Sequence, residues 1–297
     1  MNKAESRALE IRFGKAGWKS APSEESADLV ILNTCSVRIT AEERIWGRIG
    51  HYRNLRKNRD FRLVIFGCMA ERLKEEFLDR APEVDLVVGN FQKDSIVELC
   101  HSIVKDRLRS VSVHQNPYRF ADIHEDGGHK AFVPIMHGCN NYCSYCIVPY
   151  VRGPEVSRDP DEILEEIRIL DGNGIKEITL LGQNVNSYLY KWAGEGSVEM
   201  DFTSLLEKVT DSVSNIGWIR FLTSHPKDLA PGLVEIIERR PILCRHIHLP
   251  VQHGSNDILT AMRRGYTVEN YRHLVDMIRK RINGVALSTD ILIGFPG

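Results

Sequence analysis

The sequence predicts two consecutive parallel α/β domains, the second a full or partial (β/α) barrel. Three observations carry that expectation. Short apolar runs alternate with helical periodicity from residue 28 to residue 103. Five strand–helix units then follow in regular order between residues 131 and 297. Between the two, residues 108–130 lack periodicity and contain Asn116-Pro117 and Asp126-Gly127-Gly128, which reads as a linker. The domains are therefore expected at 1–107 and 131–297.

Composition narrows the function classes. The 297 residues are 42% hydrophobic and 27% charged, ordinary for a soluble globular protein. A formal net charge of −1 excludes a global nucleic-acid-binding signature, so any RNA contact must be local. Seven cysteines at uneven spacing do not resemble a secreted disulfide framework. They point to a reducing compartment with metal or redox chemistry. No signal peptide opens the chain and no apolar run is long enough to span a bilayer, so a cytoplasmic protein with no membrane partner is expected.

Residues 1–20 read as an amphipathic helix, with Ala4, Ala8, Leu9, Ile11 and Phe13 on one face. Residues 28–33 (DLVILN) form a continuous apolar run, as a buried parallel strand does, and lead into Thr34-Cys35-Ser36. A helix over about 41–56 follows. Residues 62–66 (RLVIF) are a second strand, ending at Gly67-Cys68-Met69. A helix from about Ala70, a third strand at 84–88 and a helix through Ile96, Leu99, Cys100 and Ile103 complete the domain. Ligands in such sheets sit beyond the carboxyl ends of the strands. Cys35 and Cys68 lie there on successive strands and can meet; the plainer alternative is two buried structural thiols. Cys100, on the apolar side of its helix, reads as core. His114, His124 and His129 read as solvated linker residues.

The second domain opens on AFVPIMH (131–137), a strand. Asp159 to Leu170 is a well-marked helix, with Asp159 as N-cap, Pro160 as first helical residue and Glu162 as partner in a capping box. Strands follow at 178–181, 216–222, 245–249 and 285–293, with helices at about 202–213, 228–239, 255–263 and 267–281. Each strand ends in a polar or glycine-containing segment, and in barrels that rim is where the site lies.

The first of those rim segments is His137 to Pro149, HGCNNYCSYCIVP. Its Cys139, Cys143 and Cys146 have C-x3-C-x2-C spacing, so three thiols can turn toward one point from a short loop. Soft thiolates select zinc, copper(I) or iron–sulfur clusters. A closed zinc site wants a fourth ligand, and none follows at a zinc-finger interval. Three cysteines suit a [4Fe-4S] cluster with one iron open; the plain alternative is three unrelated buried thiols. S-adenosylmethionine can occupy the open iron through its amino and carboxylate groups, and electron transfer to it yields a 5′-deoxyadenosyl radical. Gly182 would let backbone approach that cofactor, and Gln183 and Asn184 offer amide groups. Tyr145 is placed to pack on the adenine. Ser224 and His225, Gln252 and Asp290 stand at the other strand ends. The competing roles are a capped strand end for Gln183 and Asn184, satisfied hydrogen bonds for His225 and Gln252, and an arginine pair for Asp290.

At this point the residues resemble a known family. The cysteine loop is similar to that of the radical S-adenosylmethionine superfamily. More narrowly, the chain resembles the methylthiotransferases, and within them the tRNA type that modifies isopentenyl-adenosine beside the anticodon. The carrying motifs are LNTCSVR (32–38), FGCMAER (66–72), HGCNNYCSYCIVPYVRG (137–153), LLGQNVNSY (180–188), TSHPKD (223–228), HLPVQHGS (248–255), MRRGYT (262–267) and DILIGFPG (290–297). The resemblance implies an N-terminal methylthiotransferase α/β domain and a partial radical-SAM barrel. It implies that Cys139, Cys143 and Cys146 hold the radical-generating cluster, with Cys35 and Cys68 as two of three ligands to a second [4Fe-4S] cluster. It further implies sulfur insertion at C2 of the adenine, a second S-adenosylmethionine as methyl donor, tRNA as partner, an electron donor such as flavodoxin, and a monomer.

The chain departs from the family's pattern in one respect. The family's first strand, with Gly-Cys-Gln and the third auxiliary ligand, precedes the residues matching Met1-Asn2. The last barrel strand and the RNA-binding TRAM domain follow those matching the end. An internal piece is therefore expected, in which the auxiliary cluster does not assemble normally. Two rival readings stand beside this one. The first is an iron–sulfur electron carrier or structural zinc protein that binds RNA, which has no need of four further rim segments. The second is a methylthiotransferase acting on another tRNA base or a ribosomal protein.

Overall fold

The computed structural model describes residues 2–37, 39–106, 110–112, 128–192 and 198–297. They fall into two compact units. One holds the described residues up to 112 together with Ile147–Gly153; the other holds 128–146 and 154–297.

The first unit is a three-layer α/β sandwich. In chain order it runs α1 (Asn2–Lys15), β1 (Leu29–Thr34), α2 (Ile39–Leu55), β2 (Arg62–Gly67), α3 (Cys68–Leu73), α4 (Glu75–Arg80), β3 (Leu86–Val88), α5 (Ile96–Asp106) and β4 (Ser110–Ser112). The sheet is parallel, in the order β1-β2-β3-β4. Strand β2 shows why an apolar run without alternation forms here. Leu63 and Ile65 face a core shared with Ile49, Tyr52, Met69 and Phe77, while Val64 and Phe66 face one shared with Leu9, Phe13, Ile96 and Cys100. Burying both faces removes each of these side chains from water, at about 1.5–3 kcal/mol apiece. Cys100 is fully buried in the second core, and burial pushes its thiol up to about 12.

Several expectations shift. Ala4, Ala8, Leu9 and Phe13 are buried as read, whereas Ile11 is only half-buried. The helix after β2 begins at Cys68 and is broken at Lys74, whose φ of 46° no helix continues through. The expected linker contains a strand: Ser110–Ser112 extends the sheet beside β3. Three residues give too short a pattern to register as a strand in sequence. His114, His124, Asn116-Pro117 and Asp126-Gly127 lie outside the described residues. His129 is exposed, and its carbonyl accepts from the Lys176 and Glu177 N–H groups.

The second stretch of chain continues β5 (Lys130–Pro134), β6 (Met136–His137), α6 (Val148–Arg152), β7 (Val156–Ser157), α7 (Pro160–Gly172), β8 (Glu177–Leu181), β9 (Leu189–Lys191), β10 (Glu199–Asp201), α8 (Phe202–Ser212), β11 (Trp218–Phe221), α9 (Pro231–Arg239), β12 (His246–His248), α10 (Asn256–Ala261), α11 (Val268–Arg281) and β13 (Ala286–Ser288). Of these, α6 clusters with the first unit rather than with the barrel, a placement the sequence did not signal. Strands β6 and β7, and β9 and β10, form two small antiparallel pairs, and the other strands form a parallel arc. Strands β5, β8 and β11 pair in register, β12 pairs with β13, and a bridge from Ile219 to Leu243 joins the two sets. Helices α7, α8, α9 and α11 bury Ile163, Ile167, Leu205, Val209, Ile237 and Ile278 against the arc.

Local signals explain much of this. Asp159 caps α7 by accepting from the Asp161 N–H at 2.8 Å, but Glu162 turns to Arg158 at 3.4 Å rather than completing a capping box. The single strand expected over 131–137 is two. Residues 130–134 stay in the arc, while Met136 and His137 leave it to pair antiparallel with β7. The run 285–293 gives ladder pairing only at Ala286–Ser288 and one bridge, Gln252 to Ile291; Ile291 and Ile293 are 66% and 90% exposed.

Candidate metal centre

Gly138, with φ 75°, and Tyr142, with φ 46°, turn the cysteine loop back on itself. The loop is pinned near its start and in its middle. The Asn140 N–H donates to Glu155 Oε1 at 3.2 Å, and the Glu155 N–H donates to Asn140 Oδ1 at 3.1 Å. In the middle, Ser144 donates through its N–H to Met262 O at 3.2 Å and through its hydroxyl to Ala261 O at 2.9 Å, at the end of α10. A backbone turn links the Cys146 N–H to Cys143 O at 2.9 Å. None of the three forms a disulfide; Cys139 and Cys143 are buried and Cys146 is half-buried. Burial lifts the Cys139 thiol to about 11, and the neighbouring Cys143 and Cys146 sulfurs add to the rise.

Among the described residues, no three His, Cys, Asp or Glu side chains form a group able to hold a metal ion. A four-iron cluster sets its thiolates around a cube rather than on one point, and three cysteines in one short loop suit it.

Around the loop, the rim segments meet through two residues given no individual role in the sequence reading. Arg264 donates from Nη1 to Cys143 Sγ at 3.2 Å and to Tyr145 Oη at 3.4 Å. Its Nε donates to Tyr266 Oη at 3.2 Å, and the Tyr266 hydroxyl in turn reaches the Pro250 and Val251 carbonyls. The Tyr266 ring stands edge-on to His225 at 5.7 Å, and the Tyr145 ring edge-on to Phe295 at 6.4 Å. The sequence offered MRRGYT as a motif but nothing to show that its arginine touches the cysteine loop.

The other predicted residues fall on the same rim. The Gln252 N–H donates to Asp290 O at 3.0 Å. The Asp290 carboxylate faces His248 Nε2 at 3.4 Å, so its partner is a histidine rather than the arginine of the competing reading. Asn184 is fully engaged: its amide donates to Asp228 Oδ2 at 2.6 Å and accepts from the His225 N–H at 3.1 Å. It ties two strand ends together. A Cβ on Gly182 would lie 2.4 Å from Met136 Cγ, so its smallness serves packing against Met136 rather than an open cradle. Gln183 is half-buried.

Two features mark this rim as built for a ligand. Non-glycine residues with positive φ gather on it: Tyr142, Thr223 (70°), Gln252 (67°) and Arg263 (59°). Each costs of order 1 kcal/mol or more, and such strain concentrates at functional sites. Buried polar atoms without partners are the second feature: Ser224 Oγ, His225 Nε2, and both amide atoms of Asn186, which the sequence reading overlooked. Burial, helped by Arg264 and Lys227, drives His225 down to about 3, so the ring is neutral near pH 7.

In the first unit, the register pairs Thr34 with Gly67, so Cys35 and Cys68 follow at neighbouring strand ends. The Val37 N–H points to Cys35 Sγ at 3.4 Å, and Asn90 Nδ2 donates to buried Cys68 Sγ at 3.4 Å. Within this unit the one further cysteine, Cys100, lies in the core; the remaining four belong to the barrel unit.

Comparison with known proteins follows the same division. Residues 133–297 match the radical SAM superfamily, and residues 1–89 match a family described as uncharacterized protein family UPF0004. A Treponema denticola protein named tRNA-2-methylthio-N(6)-dimethylallyladenosine synthase is 46% identical over 313 residues, covering 100% of this chain and 69% of that protein. A Dictyoglomus thermophilum protein of the same name is 41% identical over 303 residues, covering 100% of this chain and 67% of that one. The chain thus spans about two thirds of the length of these relatives. Among solved structures, the radical S-adenosylmethionine methyltransferase TsrM from Kitasatospora setae superposes with a TM-score of 0.63 at 15% identity, covering 97% of this chain and 59% of that one. The cobalamin-dependent S-adenosylmethionine radical enzyme OxsB superposes at 0.59 and 12%, covering 99% and 44%. At such identities the likeness is one of fold.

Proposed function

Because the chain belongs to the radical S-adenosylmethionine tRNA methylthiotransferase family, we propose that it adds a methylthio group to C2 of isopentenyl-adenosine beside the tRNA anticodon. The observation that carries this reading is the three-cysteine loop wired through Arg264 and Tyr266 to a strained rim with unpartnered polar atoms.

Cys139, Cys143 and Cys146 would hold a [4Fe-4S] cluster, which together with S-adenosylmethionine would supply one-electron, radical-generating chemistry. The adenine C2–H has no acidic proton, so a radical route is what the reaction needs. The chain's own residues orient and shield. Ser144, Asn140 and Glu155 fix the loop. Ser224 Oγ, His225 Nε2 and the Asn186 amide offer hydrogen bonds to a polar ligand. Neutral His225 adds no charge beside a cationic sulfonium. Tyr145, with Phe295, offers a flat face for an adenine. Asn184 acts one step back, holding the His225 segment in place. Cys35 and Cys68 would serve as two ligands of an auxiliary cluster; no step is routed through one.

Among the described residues no helix is long and apolar enough to cross a membrane, in keeping with a cytoplasmic place of action beside tRNA. A flavodoxin-type electron donor and a monomeric state complete the proposal. Mass analysis of tRNA from a strain lacking the gene tests it. Loss of the methylthio group from isopentenyl-adenosine is expected; an unchanged level contradicts the tRNA assignment.

A further inference from the structure

We propose that Arg264 is a positioning residue that holds Cys143 and offsets the negative charge of the cluster, thereby setting the potential at which the cluster accepts its electron. The inference rests on the reading of Cys139, Cys143 and Cys146 as a cluster site.

Three arginines of the described chain are almost completely buried: Arg152, Arg158 and Arg264. Two of them have carboxylates. Arg152 grips Glu5 with contacts of 3.0 and 3.2 Å, and Arg158 pairs with Glu166 and Glu162. Arg264, 5% exposed, has none. Its partners are Cys143 Sγ, the Tyr145 and Tyr266 hydroxyls, the Pro250 carbonyl at 3.3 Å and the Tyr266 ring, whose centroid is 5.4 Å away. All are uncharged when Cys143 is a thiol. A buried guanidinium without an anion is costly, and natural proteins seldom keep one. The group it points at becomes anionic when a cluster binds. Three thiolates outweigh the positive charge of an oxidised four-iron core, and the incoming electron makes the assembly more negative.

A fixed cation donating an N–H to a ligand sulfur favours the more negative state, so it raises the reduction potential. The step concerned is one-electron uptake from an external one-electron donor; no bond forms or breaks. The surroundings keep the effect strong. Ser144 is tied to Met262 and Ala261, just ahead of Arg264 in sequence, so the loop and the guanidinium move as one piece. Burial also limits the water that would screen the pair.

The test is an anaerobic redox titration of the reconstituted chain, followed by the electron paramagnetic resonance signal of the reduced cluster, with iron determined on each sample. Arg264→Met removes both charge and donor; Arg264→Lys keeps the charge but loses the planar fork. Equal iron is expected in all three proteins. At a fixed potential the ratio of reduced to oxidised cluster should fall about tenfold in Arg264→Met, a shift of about 59 mV for a one-electron couple. A smaller fall is expected in Arg264→Lys. Identical titrations in loaded wild type and Arg264→Met overturn the proposal. If Arg264→Met holds no iron, Arg264→Lys decides: a titration identical to wild type overturns the proposal, a shifted one supports it. Loss of iron from both variants assigns Arg264 a structural role only and overturns the control of potential. Wild type that takes up no iron contradicts the cluster reading itself, a separate outcome from any of these.

Discussion

Replacing Cys143 by serine removes a soft ligand and the sulfur that Arg264 touches. We expect Cys143→Ser to bind less than about a tenth of the wild-type iron and to lose activity completely. Iron analysis after anaerobic reconstitution checks this, and near-normal iron would contradict it. His225 gives a pH signature. In the unfolded chain its imidazole titrates near 6.5, whereas in the folded protein burial holds it down to about 3. Between those values the unfolded state binds more protons. The contribution is therefore full above pH 6.5 and is lost as the pH falls toward 3. The thermal midpoint of wild type should drop more steeply through that window than that of His225→Gln; parallel curves would contradict the assignment. The cysteine loop proposed to hold the cluster was visible in sequence because its spacing is local. Arg264 was not, because its partner is 121 positions away and only the fold joins them. Asn184 shows the reverse. Its amide chemistry was visible, but the fold spends both amide atoms on Asp228 and His225.

Elements were readable where burial dictates pattern. Strand β2 is an unbroken apolar run because both faces are covered, and α7 carries its own cap in Asp159. What escaped was set by pairing. Ser110–Ser112 is a strand because β3 offers it an edge, and Met136 leaves the arc because Ser157 offers it a partner. The turn between α8 and β11 shows how one residue, at the end of α7, fixes an element. The Asp171 carboxylate accepts from the Ser214, Asn215 and Ile216 N–H groups at 3.1, 2.8 and 2.7 Å. Burial alone would raise its pKa; those N–H groups outweigh it and hold the carboxyl low. Asp171→Ala orphans them and should destabilise the protein by about 3 kcal/mol, read from urea unfolding. A loss of less than about 0.5 kcal/mol, the range of an ordinary surface change, would show that water replaces the carboxylate.

At the scale of the whole molecule, two α/β units each present a strand-end rim with cysteines, and only one rim holds three. The 297-residue chain should therefore take up about four irons on reconstitution, whereas two complete four-iron clusters require about eight. About eight irons with matching sulfide would contradict that. Fold class and the division into an N-terminal sheet and a barrel arc followed from strand–helix alternation. The docking of α6 with the first unit did not, because five residues directly after the third cysteine carry no pattern that says which unit they join. The central claim is that the cysteine loop generates a radical from S-adenosylmethionine. Its most direct test is 5′-deoxyadenosine measured by mass spectrometry after anaerobic incubation of the iron-loaded protein with dithionite and S-adenosylmethionine. Wild type should form it, and Cys139→Ala, Cys143→Ala and Cys146→Ala should not rise above reagent background. Iron-loaded wild type that forms none would contradict the account.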